Sequence, residues 1–192
     1  MMKQQTVEKN KSKGNGLKDW GILLATIFMI CGGTYILTTN VKTVHVNGSS
    51  MAPTYQDGDC LWMKKIGSEK VEYKRGEVVV IDSVELDQLI IKRIIGLPGD
   101  VVELKYEKLD SSLEVLEEVW VNGQRLEESY TPRVMDEWVA KERRFDVPEG
   151  HLFIMGDNRS RSFDSRALSN PYIATETVMG EVKDHVPNML CR

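Results

Sequence analysis

At 192 residues and a formal charge of −4, the chain has room for about one domain beside any membrane segment, and 41% apolar residues suffice for its core. The first nineteen residues hold five lysines against Glu8 and Asp19, a formal +3, which leaves −7 on everything after them. An acidic domain argues against nucleic acid as a partner, because phosphate backbones reward clustered Lys and Arg.

Residues 1–19 read as a basic cytoplasmic tail that sets topology and touches anionic lipid. From Trp20 to Thr39 no charged residue occurs. Twenty residues at helical rise cover about 30 Å, the thickness of a hydrocarbon core, so a single transmembrane helix is expected at 20–39. Gly32, Gly33 and the threonines weaken that pattern, and a buried core helix is the competing reading. Lys9, Lys11, Lys13 and Lys18 precede the segment while Lys42 stands nearly alone behind it, which keeps the N-terminus cytoplasmic and sends residues 40–192 across. Thr38-Thr39-Asn40-Val41 is a poor signal-peptide cleavage site, so a retained anchor is favoured over a removed leader.

Beyond the anchor, short runs of β-formers alternate with turn residues. Strands are expected at 43–46, 59–64, 77–82, 89–95, 101–106, 115–121, 152–155 and 178–182. Asn122-Gly123 between Val119-Trp120-Val121 and Gln124-Arg125-Leu126 signals a type I′ hairpin, which needs two positive φ values. No helical periodicity is long enough for an α/β fold. The fold class is therefore mainly β, with the more polar, charge-rich stretch 105–144 as a subsidiary excursion from the core sheet.

In a strand over Leu89–Ile95, Ile90, Lys92 and Ile94 share one face while Leu89, Ile91, Arg93 and Ile95 share the other. One of the two cations therefore stands among aliphatic side chains. Burial disfavours the ammonium, lowers the lysine pKa and turns Lys92 into a usable base; a snorkelling or ion-paired Lys92 is the structural alternative. Arg93 stays charged and suits a structural ion pair. Ser50 lies in Gly48-Ser49-Ser50-Met51-Ala52-Pro53-Thr54, about ten residues past the apolar segment, a tether of at most about 35 Å. Gly48 permits positive φ, Pro53 stiffens the turn, and a serine so held can offer both its Oγ and its own N–H. An ordinary Ser/Pro turn is the plain alternative. The segment Met155–Arg166 reads as a loop leaving a buried strand, in which Ser162 accepts from Lys92 and aims it while Asp164 and Arg166 pair to fix the loop.

Together these segments resemble the type I signal peptidases, membrane-anchored Ser-Lys endopeptidases. Ser50-Met51-Ala52-Pro53-Thr54 is similar to the family's nucleophile box, Arg75-Gly76-Glu77-Val78-Val79-Val80 to a strand that usually has Asp at the third position, and Lys92–Asp100 to its lysine box. Gly156-Asp157-Asn158 with Ser162, Asp164, Ser165 and Arg166 is similar to its last box. The resemblance covers nearly all of residues 17–185, with small size and one anchor as in the Gram-positive branch, and it implies an antiparallel β catalytic domain with a smaller, variable β excursion at about 105–144.

It implies Ser50 as nucleophile, Lys92 as general base, Ser162 as the residue orienting the lysine, and supporting roles for Gly48, Asp157, Asp164 and Arg166. The implied reaction is removal of signal peptides from exported preproteins after small residues in the A-x-A style, through an acyl-enzyme. The implied setting is a monomer in the cell membrane, with membrane lipid and emerging preproteins as its partners. One departure is Gly48, where one branch has a hydroxyl residue helping the oxyanion hole. The other is Ala167-Leu168-Ser169-Asn170-Pro171-Tyr172, where an aromatic and a glycine are usual.

Three other readings compete, of which a plain anchored β-domain with no active site must treat four boxes as accidents. A catalytically idle relative acting as an assembly factor or chaperone for surface proteins is disfavoured by the presence of both Ser50 and Lys92. A self-cleaving repressor with the same dyad would need a DNA-binding domain. No metal-ligand spacing occurs and no cofactor is expected. Cys31 lies in the apolar segment, and Cys60 and Cys191 are free to pair on an oxidising side or not.

Overall fold

A computed structural model describes Trp20 and residues 22–30, 40–66, 72–108, 114–132, 134–136 and 143–187. The chain divides into two units, residues 1–39 and 40–192. In the first unit, residues 22–30 are helical and expose Ile22, Leu23, Leu24, Phe28 and Met29. Among the described residues no helix is long and apolar enough to cross a membrane. The basic tail, Gly21 and residues 31–39 of the expected span lie outside the described residues.

The second unit consists of two antiparallel sheets. The first has seven strands in the order β1-β2-β12-β3-β4-β10-β11: β1 Val41–His45, β2 Cys60–Lys65, β3 Val78–Ser83, β4 Gln88–Gly96, β10 His151–Met155, β11 Ile173–Ala174 and β12 Val178–His185. The second holds β5 Val101–Lys108, β6 Glu114–Val121, β7 Gln124–Arg125, β8 Val134–Asp136 and β9 Arg143–Asp146.

The strand reading is accurate to a residue or two wherever apolar alternation was strong. It overlooked β8, β9 and β11, two to four residues each, because such short pairings leave no periodicity to read. The second sheet also reaches from Val101 to Asp146, beyond the expected 105–144.

Register places the chemistry. β4 lies between β3 and β10, so its backbone is paired on both sides and its side chains are held at fixed heights. Lys92 stands opposite Val79, and Arg93 stands opposite Val78 on one side and Met155 on the other. Val79, Ile81, Ile90, Ile94, Leu152 and Ile154 form one core cluster, and Met51, Leu61, Met63, Val78 and Val80 form another.

Asp100 joins the two sheets at their common corner. Its Oδ2 accepts from Leu97 N–H (2.6 Å) and pairs with Arg75 Nη2 (3.1 Å), while Oδ1 accepts from Asn122 Nδ2 (2.7 Å). The Asn122-Gly123 turn has φ of +53° and +77°, the two positive values that the type I′ hairpin requires. Cys60 is buried and disulfide-bonded, and Cys191 lies outside the described residues.

Candidate active site

Ser50 sits in a helical turn that follows β1, closed by hydrogen bonds from Ala52 N–H to the Ser49 carbonyl (3.1 Å) and from Tyr55 N–H to the Met51 carbonyl (3.0 Å). Met51, 1% exposed, pins that turn into the core beneath the hydroxyl. Gly48 takes φ +89°, a conformation costly for any residue with a Cβ. Its N–H donates to Asp57 Oδ1 (2.7 Å), so Gly48 shapes the chain while its donor is already engaged.

Lys92 is 4% exposed, and its Nζ reaches across to Ser50 Oγ at 2.8 Å, with a second bond to the Ile91 carbonyl at 3.1 Å. Burial lowers its pKa, aided by Arg166 and opposed by Asp164 and Asp157. The pattern argument about the strand thus resolves in favour of the lysine as the desolvated cation. Arg93 is held by its own carboxylate: Nε and Nη2 bond Asp157 Oδ1 (2.8 Å) and Oδ2 (2.6 Å), and Nη1 bonds the Gly76 carbonyl (2.7 Å).

The loop after β10 closes over these groups. Asp157 is fully buried and also accepts from Thr54 Oγ1, four residues past the serine, so one carboxylate fastens the serine turn to the lysine strand. The Ser50 carbonyl accepts from Asn158 N–H (3.0 Å) and the Ser49 carbonyl from Asn158 Nδ2 (3.1 Å).

Gly156 is required by close approach. A Cβ there would lie 2.2 Å from Ser162 Oγ and 2.5 Å from the Ser50 carbonyl oxygen. Asp164 is buried and accepts from Gly156 N–H (2.9 Å) and from Arg166 Nε (2.9 Å) and Nη2 (2.9 Å). Arg166, together with the Gly156 amide, holds the Asp164 pKa below its ordinary range despite burial.

Ser162 departs from expectation in one detail. Its Oγ is buried beside Gly156 and makes no hydrogen bond to the Lys92 amine, which is turned to Ser50 and the Ile91 carbonyl; Ser162 instead helps keep the Asp164 carboxylate ionised. The segment 167–172, where the family pattern is broken, still folds back on the loop. Ala167 and Leu168 N–H donate to the Asp164 carbonyl (2.8 and 3.0 Å), and Ser169 bonds Glu85 on the β3–β4 hairpin.

Sequence reasoning overlooked a set of groups behind this loop. Arg159, 3% exposed, pairs with Glu128 through Nη2 and stands 3.4 Å from Glu117 through Nη1, while its Nε donates to the Gly156 carbonyl (3.1 Å). A signal for Glu117 existed: it shares the apolar face of β6 with Val119 and Val121, the same anomaly that exposed Lys92 in β4.

A cleft of about 580 Å³ opens in front of Ser50, between the chain of β1 and its continuation, residues 43–49, and residues 88–92 of β4. Val44, Val46, Ile91 and Phe163 give it apolar walls, and Ser50 and Lys92 line it together. Among the described residues no cluster of His, Cys, Asp and Glu could hold a metal.

A serine hydroxyl in contact with a desolvated amine, both lining one cleft, has the arrangement of a serine hydrolase that uses lysine as its base. The family model described as signal peptidase, peptidase S26 matches residues 17–186. Signal peptidase I of Bacillus licheniformis is 36% identical over 170 residues, covering 84% of each chain, and signal peptidase I T of Bacillus subtilis is 32% identical over 174 residues, covering 85% of this chain and 83% of that one. A crystal structure of a signal peptidase I from Enterococcus faecalis aligns at TM-score 0.45 and 26% identity, over 60% of this chain and all of the other. The chain belongs to the signal peptidase family, and its activity is the family's, endoproteolytic removal of signal peptides.

Proposed function

We propose that the enzyme cuts exported preproteins after small residues by a Ser50–Lys92 mechanism, from a membrane-anchored position. The observation that carries this reading is the 2.8 Å contact between Ser50 Oγ and a lysine amine that is 4% exposed. An ordinary lysine is neutral in only about one molecule in a thousand at neutral pH. Desolvation raises that fraction, and once the amine is neutral the contact reverses, with the hydroxyl donating into the nitrogen lone pair.

Attack of Oγ on the scissile carbonyl then transfers the hydroxyl proton to Lys92 and forms the tetrahedral oxyanion, which the Ser50 N–H faces. The ammonium passes that proton to the departing amine as the C–N bond breaks, leaving an acyl-serine. Water, deprotonated by the same lysine, attacks the ester and frees Ser50. Ser162 takes the other hydrogen of the neutral amine, beside the one given to the Ile91 carbonyl, and fixes its direction; its buried oxygen, packed where a Cβ on Gly156 would lie, supports that role. Asp157, Asp164 and Arg166 hold the frame, and Gly48 sets the entry of the serine turn.

The apolar run 20–39, with lysines before it, supports a retained single-pass anchor with a cytoplasmic N-terminus. The serine then works close to the lipid surface, where preproteins emerge from export. One chain contains every group invoked, so a monomer suffices, and no cofactor enters the chemistry.

The test uses detergent-solubilised full-length protein and a preprotein with an A-x-A site. Cleavage at that site, abolished in both Ser50→Ala and Lys92→Ala variants that remain folded, is the expected result. Retention of cleavage in either variant would refute the dyad.

A further inference from the structure

Two chains of contacts reach the dyad from the loop between β7 and β8. The first begins at Glu128, 4% exposed, whose Oε1 takes both Arg159 Nη2 and the Tyr130 hydroxyl (2.7 Å). Arg159 passes the constraint to the Gly156 carbonyl, and Gly156 is packed against both Ser162 Oγ and the Ser50 carbonyl. Arg166 reinforces it, since Nη2 donates to the Arg159 carbonyl (2.9 Å) and Nη1 pairs with Glu117 Oε2 (3.3 Å).

The second chain begins at the Tyr130 ring. The Arg93 guanidinium lies 3.9 Å from its centroid, a distance at which the ring face attracts the cation. Arg93 in turn grips Asp157, which holds Thr54 at the end of the serine turn, and Arg93 is the strand neighbour of Lys92.

Residues 126–130 thus touch both chains at once: Glu128 through Arg159 acts on the oxygen side of the dyad, and Tyr130 through Arg93 acts on the nitrogen side. Burial costs Glu117, Glu128 and Arg159 far more than surface positions would, and pairs of this kind contribute little net stability relative to apolar residues of the same size. Geometry is what they supply.

We propose that Glu128 and Tyr130, in the loop between β7 and β8, with Glu117 of β6 behind them, are positioning residues that set the Ser50–Lys92 geometry. This inference rests on the dyad reading. Loss of the Glu128 carboxylate frees Arg159 from one of its two buried counter-charges and loosens Gly156. Loss of the Tyr130 ring uncovers Arg93. Neither residue borders the cleft, so substrate affinity is left alone. The excursion is then part of the catalytic apparatus rather than a variable appendage.

The experiment compares Glu128→Gln, Tyr130→Leu and Tyr130→Phe in the full-length solubilised enzyme, with Ser50→Ala as the inactive reference and Glu118→Gln as a control. Glu118 points to the other face of β6, where it pairs with Arg125. Thermal melting is recorded for each variant, and kcat and KM are measured on a preprotein substrate. Glu128→Gln and Tyr130→Leu are expected to lower kcat about 10- to 100-fold with KM within about twofold, the usual scale for groups that orient a catalytic residue. Tyr130→Phe keeps the ring over Arg93 and loses only the hydroxyl, so it recovers most of the kcat lost in Tyr130→Leu; Glu118→Gln stays at the parent rate.

Folded Glu128→Gln and Tyr130→Leu enzymes with parental kcat would overturn the proposal, as would a loss confined to KM or to the melting temperature. Full activity in Ser50→Ala would instead remove the dyad reading on which it rests.

Discussion

The two sheets each bury a charge on an otherwise apolar strand face, and they treat it in opposite ways. In the first sheet, Lys92 makes no ion pair among the described residues and donates there to Ser50 Oγ and the Ile91 carbonyl, and its pKa falls. In the second sheet, Glu117 faces two arginines, Arg159 and Arg166, that offset its desolvation, although burial still raises its pKa. A buried ion left without a counter-charge becomes a chemical reagent, because its neutral form is favoured. A buried ion surrounded by opposite charge becomes a fastening. The difference lies in the neighbours, and it assigns chemistry to the first sheet and alignment to the second.

The contrast breaks most completely where the two regions meet. Gly156→Ala is expected to abolish cleavage, since its methyl would lie 2.5 Å from the Ser50 carbonyl oxygen and 2.2 Å from Ser162 Oγ, and one of the two must move. Peptidase activity beside a circular dichroism spectrum checks this, and a folded Gly156→Ala enzyme with parental activity would show that the corner yields freely.

Asp164→Asn comes next. It leaves Arg166 short of its closest carboxylate in a buried site, a change on the order of 3–5 kcal/mol, readable by urea denaturation. A loss below about 1 kcal/mol would mean that Glu117 alone can hold the arginine.

The pH dependence sharpens the lysine side. On the dyad reading neutral Lys92 is the active form, so kcat/KM rises with pH through the Lys92 pKa and is lost as pH falls below it. Because burial lowers that pKa, the acid limb is expected below about 10.4, the value of an ordinary lysine. An acid limb at or above that value would place Lys92 in water.

The smallest effect belongs to the hairpin remote from the cleft. Gly123→Ala at φ +77° is expected to cost on the order of 1 kcal/mol with kcat unchanged, by thermal melting and the same assay. Loss of activity there would tie the Asn122-Gly123 turn to catalysis.

How much of this was legible depended on the length scale of the signal. The alternation in Leu89–Ile95 shows a cation among aliphatic residues, and two-residue periodicity turns that into a face. The same reasoning applied to Val115–Val121 would have isolated Glu117, but a carboxylate in a charge-rich segment looks solvated until its neighbours are known. Thr54 and Asp157 are 103 positions apart, and no local pattern in either segment links them. Glu128 and Arg159 are separated by 31 residues, in segments whose composition reads as surface loop.

The sequence by itself determined that this is a mainly β chain with an apolar N-terminal segment and four ordered boxes, two of which hold a serine and a lysine, because each of these is a property of neighbours along the chain. Only the tertiary structure decided that Lys92 rather than Arg93 lacks a carboxylate partner, that Ser50 is its closest polar contact, and that the loop between β7 and β8 braces both through Arg159 and Arg93. Desolvation and charge compensation are summed over everything within a few ångströms, and which residues lie within that distance is fixed by folding.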